Sequence, residues 1–324
     1  MNNRERISLI ESVGEETIGD LESLLQKVPE PIVYDGFEPS GRMHIAQGLM
    51  RAETVNRFTQ AGCKFVFWVA DLFAMMNLKL DGNLRKIRTA GERMIKIWEA
   101  CGMDMSRVEF RWASESISSG EGKYLGHVLD IAQNFTVSRL KRCSQIMGRE
   151  ESDELMGSQL FYPAMQAADV LHLNVHICSL GMDQRKVNML VREYFDKKKR
   201  PPPVIVSHHM LLGLNGTKMS KSDPDNAIFM DDTPGEIKRK IRKAFCEPRN
   251  IEVNPIMEYI KYVIWPREKE FELHSKHDGT TSYSDFLELE KDFLNGIIHP
   301  SDLKSSTVTV LIRLLEPVTE RLRQ

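Results

Sequence analysis

Two lysines three residues apart, Lys218 and Lys221, sit in GLNGTKMSKSDP (213–224), a stretch too rich in glycine and proline to hold a stable helix. Ammonium groups on such a loop can follow phosphate charge as it builds up in a transition state. Paired lysines are usually just a solvated loop, but the full string Lys218-Met219-Ser220-Lys221-Ser222 is far more specific than that. A second constellation is YDGFEPSGRMHIAQG (34–48), where a short apolar run closes on Gly36 and His44 falls near a helix start. A helix start presents backbone N–H groups and a positive dipole end to an anion, here with an imidazole beside them. Gly36 permits close backbone approach to a ligand. The same pattern also fits a plain strand–turn–helix whose histidine caps the helix. In a third constellation, YPAMQAAD (162–169), Tyr162, Gln166 and Asp169 are spaced four and three apart and share one helical face. A phenol, an amide and a carboxylate among Ala and Met are costly to bury unpaired. They form either a polar-lined small-molecule pocket or a partly exposed face.

These groups need a scaffold, and the chain spells out one. Apolar positions Ile7, Ile10, Val13, Ile18, Leu21, Leu24 and Leu25 suggest one helix over 3–28, stopped by Pro29 and Pro31. Ile32-Val33-Tyr34, Lys64–Ala70 and Val108–Trp112 read as strands, separated by helical stretches from about His44 to Ala61 and Leu84 to Cys101. From Gly120 to Leu160 the pattern is helical throughout, as in an insertion between two halves of a sheet. Alternation resumes with a strand at Val175–Leu180, a helix over 184–198 and a strand in PPVIVSHH (202–209). Beyond about 233 everything reads as helix, ending in 301–323 with the stripe Val308, Leu311, Leu315, Val318 and Leu322. Strands alternating with helices predict an α/β domain with a Rossmann-like parallel sheet over 1–232, carrying a helical insertion at about 113–160. An all-helical domain over 233–324 follows.

Composition narrows the class. The 324 residues have a formal net charge of −2, so no global basicity announces nucleic acid, although a local patch could still bind it. No apolar run reaches the roughly eighteen residues of a membrane span, and MNNRERISLIESVGEE has the form of neither a signal nor a transit peptide. Cys63, Cys101, Cys143, Cys178 and Cys246 show no CxxC spacing, which fits a reducing, cytoplasmic setting with no disulfide framework and no zinc site.

HIAQ (44–47) together with KMSKS (218–222) resembles the two signatures of class I aminoacyl-tRNA synthetases. YDGFEPSG, YPAMQAAD, GMDQRKVNMLVRE (181–193) and HPSDLK (299–304) resemble, more narrowly, the blocks of tyrosyl-tRNA synthetases of the eukaryotic and archaeal cytosolic type. The resemblance spans nearly the whole chain and implies an anticodon-binding role for 233–324. It implies that Tyr34 and Asp169 hold the substrate's phenolic hydroxyl, while Tyr162, Gln166 and Gln184 hold its α-ammonium. Asp183 is implied as the ribose-binding acid, though an aspartate beginning a helix is also an ordinary N-cap. His44, Gln47, Lys218 and Lys221 are the implied catalytic set, and Gly36, Met219 and Ser220 join them around ATP. The first signature departs from the family's HIGH: Ala46 adds a methyl where adenine packs, and Gln47 keeps a donor but cannot become cationic.

The resemblance further implies ATP as a substrate accompanied by Mg2+, with no tightly bound protein metal. The implied partners are L-tyrosine and tRNA(Tyr), and the implied assembly is a homodimer; the helical insertion is the place to look for its contact. Arg139, Lys141 and Arg142 stand where the family contacts the acceptor stem, although basic residues on a helix are commonly a solvated face. A second basic run, Lys238-Arg239-Lys240 with Arg242 and Lys243, could meet phosphates. His299 and Asp302 match the segment near the first anticodon base, with an N-cap on the last helix as the plain alternative. Phe271 and His274 are open candidates for stacking on an anticodon base. The chain stops soon after this region, which suggests no appended RNA-binding module. Two other readings stay open: a tryptophanyl enzyme of the same architecture, disfavoured by Tyr34 and Asp169, and a non-catalytic RNA-binding protein derived from a synthetase.

Overall fold

The structure, a computed structural model, describes residues 1–147, 154–219, 223–275 and 279–323. Its residues divide into two compact units, one of Met1–Gly41, Thr54–Met94 and Asp104–Met210, the other of Arg42–Glu53, Ile95–Met103 and Leu211–Gln324.

In the first unit, strands β1 (Glu16–Ile18), β2 (Ile32–Phe37), β3 (Lys64–Val69), β4 (Val108–Trp112), β5 (Ile177–Gly181) and β6 (Val204–His208) form one sheet in the order β1-β6-β5-β2-β3-β4. All pairings are parallel except β1 with β6. The run KFVFWV of β3 is buried from Phe65 onward, as expected of a strand covered on both faces. On one face, Val66, Tyr34, Cys178 and Ile205 stand in register across four strands. They join a core with Ala164, Ala167 and Val170 from helix Gly157–His172 and Val187, Leu190 and Val191 from helix Arg185–Lys197. On the other face Phe67 stacks on Phe110 at 5.2 Å. Helices Ala113–Ser119, Lys123–Asn134 and Val137–Lys141 lie between β4 and β5, where a helical insertion was expected.

Chain order reverses between β2 and β5: the strands after β2 extend the sheet one way, and β5 and β6 extend it the other. Such a switch point leaves a crevice beyond the carboxyl ends of the strands, the usual ligand position in an open α/β sheet. Glu38 follows β2 at that end, and Asp183 and Gln184 follow β5.

Two expectations fail here. Residues 3–28 are not one helix but two, Asn3–Glu11 and Leu21–Lys27, with β1 between them. Gly19 has φ +117°, which ends any helix, and the three residues of β1 are recruited by pairing with Ile205–Ser207. The apolar spacing was compatible with a helix, but tertiary pairing decided otherwise.

In the second unit, the C-terminal stretch is helical apart from a hairpin of β7 (Phe271–Ser275) and β8 (Gly279–Tyr283), which corrects the all-helical reading. The alternation of buried Phe271 and Leu273 with exposed Glu272 and His274 has the period of a strand, but the segment is too short to dominate a helix-rich background. The last helix, Pro300–Arg323, buries Leu311, Leu315 and Val318 of the expected stripe.

Candidate active site

Within the first unit, β2 and helix Gly157–His172 bring Tyr34 and Asp169 together. The Tyr34 hydroxyl donates to Asp169 Oδ2 at 3.0 Å, and the Tyr124 hydroxyl donates to Oδ1 at 2.7 Å. All three residues are buried. Burial pushes the Asp169 carboxyl well above the usual carboxylate range, and the donations from Tyr124 and Tyr34 pull the other way. Burial beside Asp169 likewise holds both phenols far above their ordinary value. Gly36 is fixed by the same group: a Cβ there would lie 2.8 Å from the Tyr34 hydroxyl oxygen.

One to two helical turns along, the polar row continues. Tyr162 donates to Glu38 Oε1 at 2.8 Å. Glu38 is also approached by Asn77 Nδ2 at 3.2 Å and Lys79 Nζ at 3.7 Å. Gln166 Nε2 donates to Gln184 Oε1 at 3.1 Å, and Gln184 Nε2 donates to Ile146 O at 3.3 Å. The row expected from sequence therefore exists, with each polar group partnered as its burial demands. Asp183 is exposed and caps no helix: the short turn Met182–Gln184 starts from Gly181, and the next helix starts from Gln184 without a side-chain cap. Sequence reasoning missed Tyr124 and Glu38. Tyr124 lies in the helical insertion, where nothing in its spacing ties it to Asp169.

The second unit holds both signature segments. His44 forms an isolated antiparallel bridge with Phe229, flanked by Ile45 N–H to Ile228 O at 2.8 Å and Met230 N–H to Met43 O at 2.9 Å. Lys218 bridges Leu212, and Asn226 Nδ2 donates to Lys218 O at 3.3 Å. Asn226 and Phe229 are three residues apart, so one short segment ties the histidine signature to the base of the lysine loop. The Lys218 side chain is exposed. Ser220 and Lys221 lie outside the described residues.

His44 precedes a π turn, Ala46–Met50, not the α-helix its position suggested. Gln47 N–H approaches His44 Nδ1 at 3.4 Å, and Gln47 Oε1 is buried without a hydrogen-bond partner among the described residues. An acceptor buried this way is a ready partner for a ligand donor.

The expected RNA-facing residues divide. Arg139 grips Glu193 at 2.7 and 3.1 Å and donates to Cys143 Sγ at 3.1 Å, so its guanidinium clamps the protein itself. Arg142 is exposed and Lys141 half-buried. Lys240 is buried against Asp232 at 2.7 Å, which removes it from the second basic run. His299 is exposed and accepts from Ser301 N–H at 3.1 Å, making it the cap of the last helix in place of Asp302. Asp302 is buried in the first turn. Phe271 is core and cannot stack on a base, whereas His274 is exposed. Among the described residues, no group of three or more His, Cys, Asp or Glu could hold a metal ion, and no helix is long and apolar enough to cross a membrane.

Comparison with known proteins gives this arrangement a family. Residues 26–316 match the tRNA synthetases class I (W and Y). The chain is 49% identical to tyrosine–tRNA ligase 1, cytoplasmic, of Arabidopsis thaliana, over 98% of this chain and 84% of that protein. The solved Leishmania major tyrosyl-tRNA synthetase in complex with tyrosinol superposes with a TM-score of 0.94 at 46% identity, covering all of this chain and 51% of that one. The Pyrococcus horikoshii tyrosyl-tRNA synthetase complexed with L-tyrosine gives a TM-score of 0.92 at 36% identity, covering 100% and 97%. The chain belongs to the class I tRNA synthetases, in their tyrosyl branch. It spans about half the length of the Leishmania chain and most of the Arabidopsis and Pyrococcus ones.

Proposed function

We infer that this protein is a tyrosine–tRNA ligase: it activates L-tyrosine with ATP and transfers the tyrosyl group to tRNA(Tyr). The observation that carries the reading is the buried Asp169 carboxylate beside the Tyr34 phenol, a polar pair that an apolar side chain would leave bare. Rejection of phenylalanine on this ground is already known of tyrosyl-tRNA synthetases. An indole, which has a donor but no hydroxyl, matches the pair poorly, so the tryptophanyl reading is weaker.

In the first step the tyrosine carboxylate attacks the α-phosphorus of ATP and pyrophosphate leaves. The nucleophile is already an anion, so positioning and charge stabilisation replace a general base. In the second step a hydroxyl of the tRNA's terminal adenosine attacks the acyl carbon and AMP leaves. Tyr34 and Asp169 take the phenol; Tyr162, Gln166 and Gln184 take the α-ammonium, with Glu38 accepting the hydrogen bond of the Tyr162 hydroxyl so that the phenol oxygen's lone pairs face the ammonium. Asp183 takes the ribose. His44, Gln47, Lys218 and Lys221 serve the phosphates, and Gly36, Met219 and Ser220 complete the ATP contacts. Mg2+ travels with the ATP phosphates.

Residues 1–232 act as the catalytic domain and 233–324 as the anticodon-binding domain. Lys141, Arg142 and His299 meet tRNA, with Asp302 supporting the first turn of the last helix beside His299; Arg139 serves by holding Glu193. Exposed Leu125 and Leu129, four apart on helix Lys123–Asn134, together with exposed Phe161, support pairing of two copies through the insertion. The cytoplasm is the proposed setting, as in the name of the Arabidopsis relative. The decisive measurement is amino-acid-dependent ATP–pyrophosphate exchange with each of the twenty amino acids. Tyrosine should support it, and replacing both Lys218 and Lys221 with alanine should collapse it. Exchange with none of them would overturn the reading in favour of a non-catalytic relative.

A further inference from the structure

We propose that Trp98 and Arg267 are positioning residues for ATP activation, holding the His44–Gln47 signature in its π turn. In an α-helix the Arg51 N–H would serve the carbonyl of Gln47, four residues back. Here it reaches Ala46 O and Gly48 O instead. The Gln47 carbonyl has lost its α-helical donor, and the Trp98 indole N–H replaces it at 2.6 Å. Two residues on, the Leu49 carbonyl accepts from Arg267 at 2.9 Å. The same guanidinium donates to Cys101 O at 3.0 Å, just past the end of helix Leu84–Ala100 that carries Trp98. One side chain thus ties the turn to the segment that supplies its other clamp.

Arg267 itself follows a second π turn, Ile260–Ile264, which contacts the first. Turns of this type are rare and concentrate at functional sites. A return to α geometry would drop one residue from the turn. It would swing His44 and Gln47 by about 100° relative to helix Arg51–Gln60. Gly48 lets the turn pack closely on Met230, since a Cβ there would sit 2.2 Å from Met230 Sδ. The clamps therefore set where the signature histidine and the Gln47 side-chain oxygen point. Because Arg267 belongs to the stretch assigned to tRNA binding, the same contact joins that stretch mechanically to the ATP signature.

The proposal builds on the ligase reading, so its test has one arm that needs no substrate. Trp98→Phe keeps the ring and removes only the N–H; Arg267→Lys keeps the charge but cannot span both carbonyls. Each variant should show amide deuteration across Ala46–Met50 about tenfold faster than the wild type, the loss expected of one net hydrogen bond. In tyrosine-dependent pyrophosphate exchange each should lose about tenfold in kcat/KM for ATP with KM for tyrosine unchanged. Unchanged deuteration in both variants overturns the proposal whatever the activity. So does faster deuteration with wild-type ATP parameters, or equal losses toward ATP and tyrosine, which would mark the residues as mere support of the fold. A wild type inactive with tyrosine would sink the ligase reading, and the deuteration arm would still decide the clamp.

Discussion

Replacing Tyr124 with phenylalanine tests the proposed substrate pocket at the residue the sequence did not reveal. The substitution keeps the ring, and with it the contacts to Trp68 at 6.4 Å and His172 at 5.4 Å. It removes the donation to Asp169 Oδ1 at 2.7 Å and to Met165 O at 3.0 Å. A hydrogen bond to a charged group contributes about 1.5–3 kcal/mol net. The variant should therefore lose that much stability, a drop of several degrees in Tm. Two donors now oppose the effect of burial on the Asp169 carboxyl; with one gone, burial raises it further. A protonated Asp169 accepts poorly from a substrate phenol. kcat/KM for tyrosine in pyrophosphate exchange should fall roughly ten- to 150-fold, the same free energy expressed as a ratio. The loss should shrink as pH rises, and KM for ATP should not move. Activity with phenylalanine, which makes no such bond, should stay flat, so discrimination weakens. A wild-type kcat/KM for tyrosine in the variant, or a loss shared equally with ATP, would refute the reasoning.

Gly48→Ala forces a methyl to within 2.2 Å of the buried Met230 Sδ, so thermal stability should fall by about 1–3 kcal/mol. Adding Met230→Ala should recover part of the overpacking loss, which a double-mutant cycle in urea can read. Asp232→Ala strands the Lys240 ammonium in the core, 2.7 Å from where its partner was, and should destabilise by about 3–5 kcal/mol. Replacing the pair together with apolar residues should cost far less. Tyr34, Tyr124 and Tyr162 all titrate far above their unfolded value of about 10 because burial opposes the phenolate. Their contribution to stability is complete below about pH 10 and is lost as pH rises toward the folded-state values. Phenolate absorbance should accordingly lag behind the exposed tyrosines and appear together with unfolding.

The sequence by itself determined the local spacing on which the proposed chemistry rests. Lys218 to Ser222 and His44 suggested phosphate handling, and Tyr162, Gln166 and Asp169 a polar row on one helical face, because groups at fixed spacing on loops and helices are local features. β3 and β4 were equally legible: a run such as KFVFWV needs no distant information to declare itself buried. What the tertiary structure alone decided are features whose cause lies far along the chain. Glu16–Ile18 became a strand only by pairing with β6, and Phe271–Ser275 only by pairing with β8. Phe271 and Lys240 were drawn inward by packing and by a buried aspartate, against the roles their types suggested. Tyr124 found Asp169 across 45 positions, and Trp98 found the Gln47 carbonyl across 51. Spacing records only neighbours within a turn or a strand. A hydrogen bond closed over a long loop leaves no periodic trace, so partners such as Tyr124 and Trp98 stay hidden until the chain is folded.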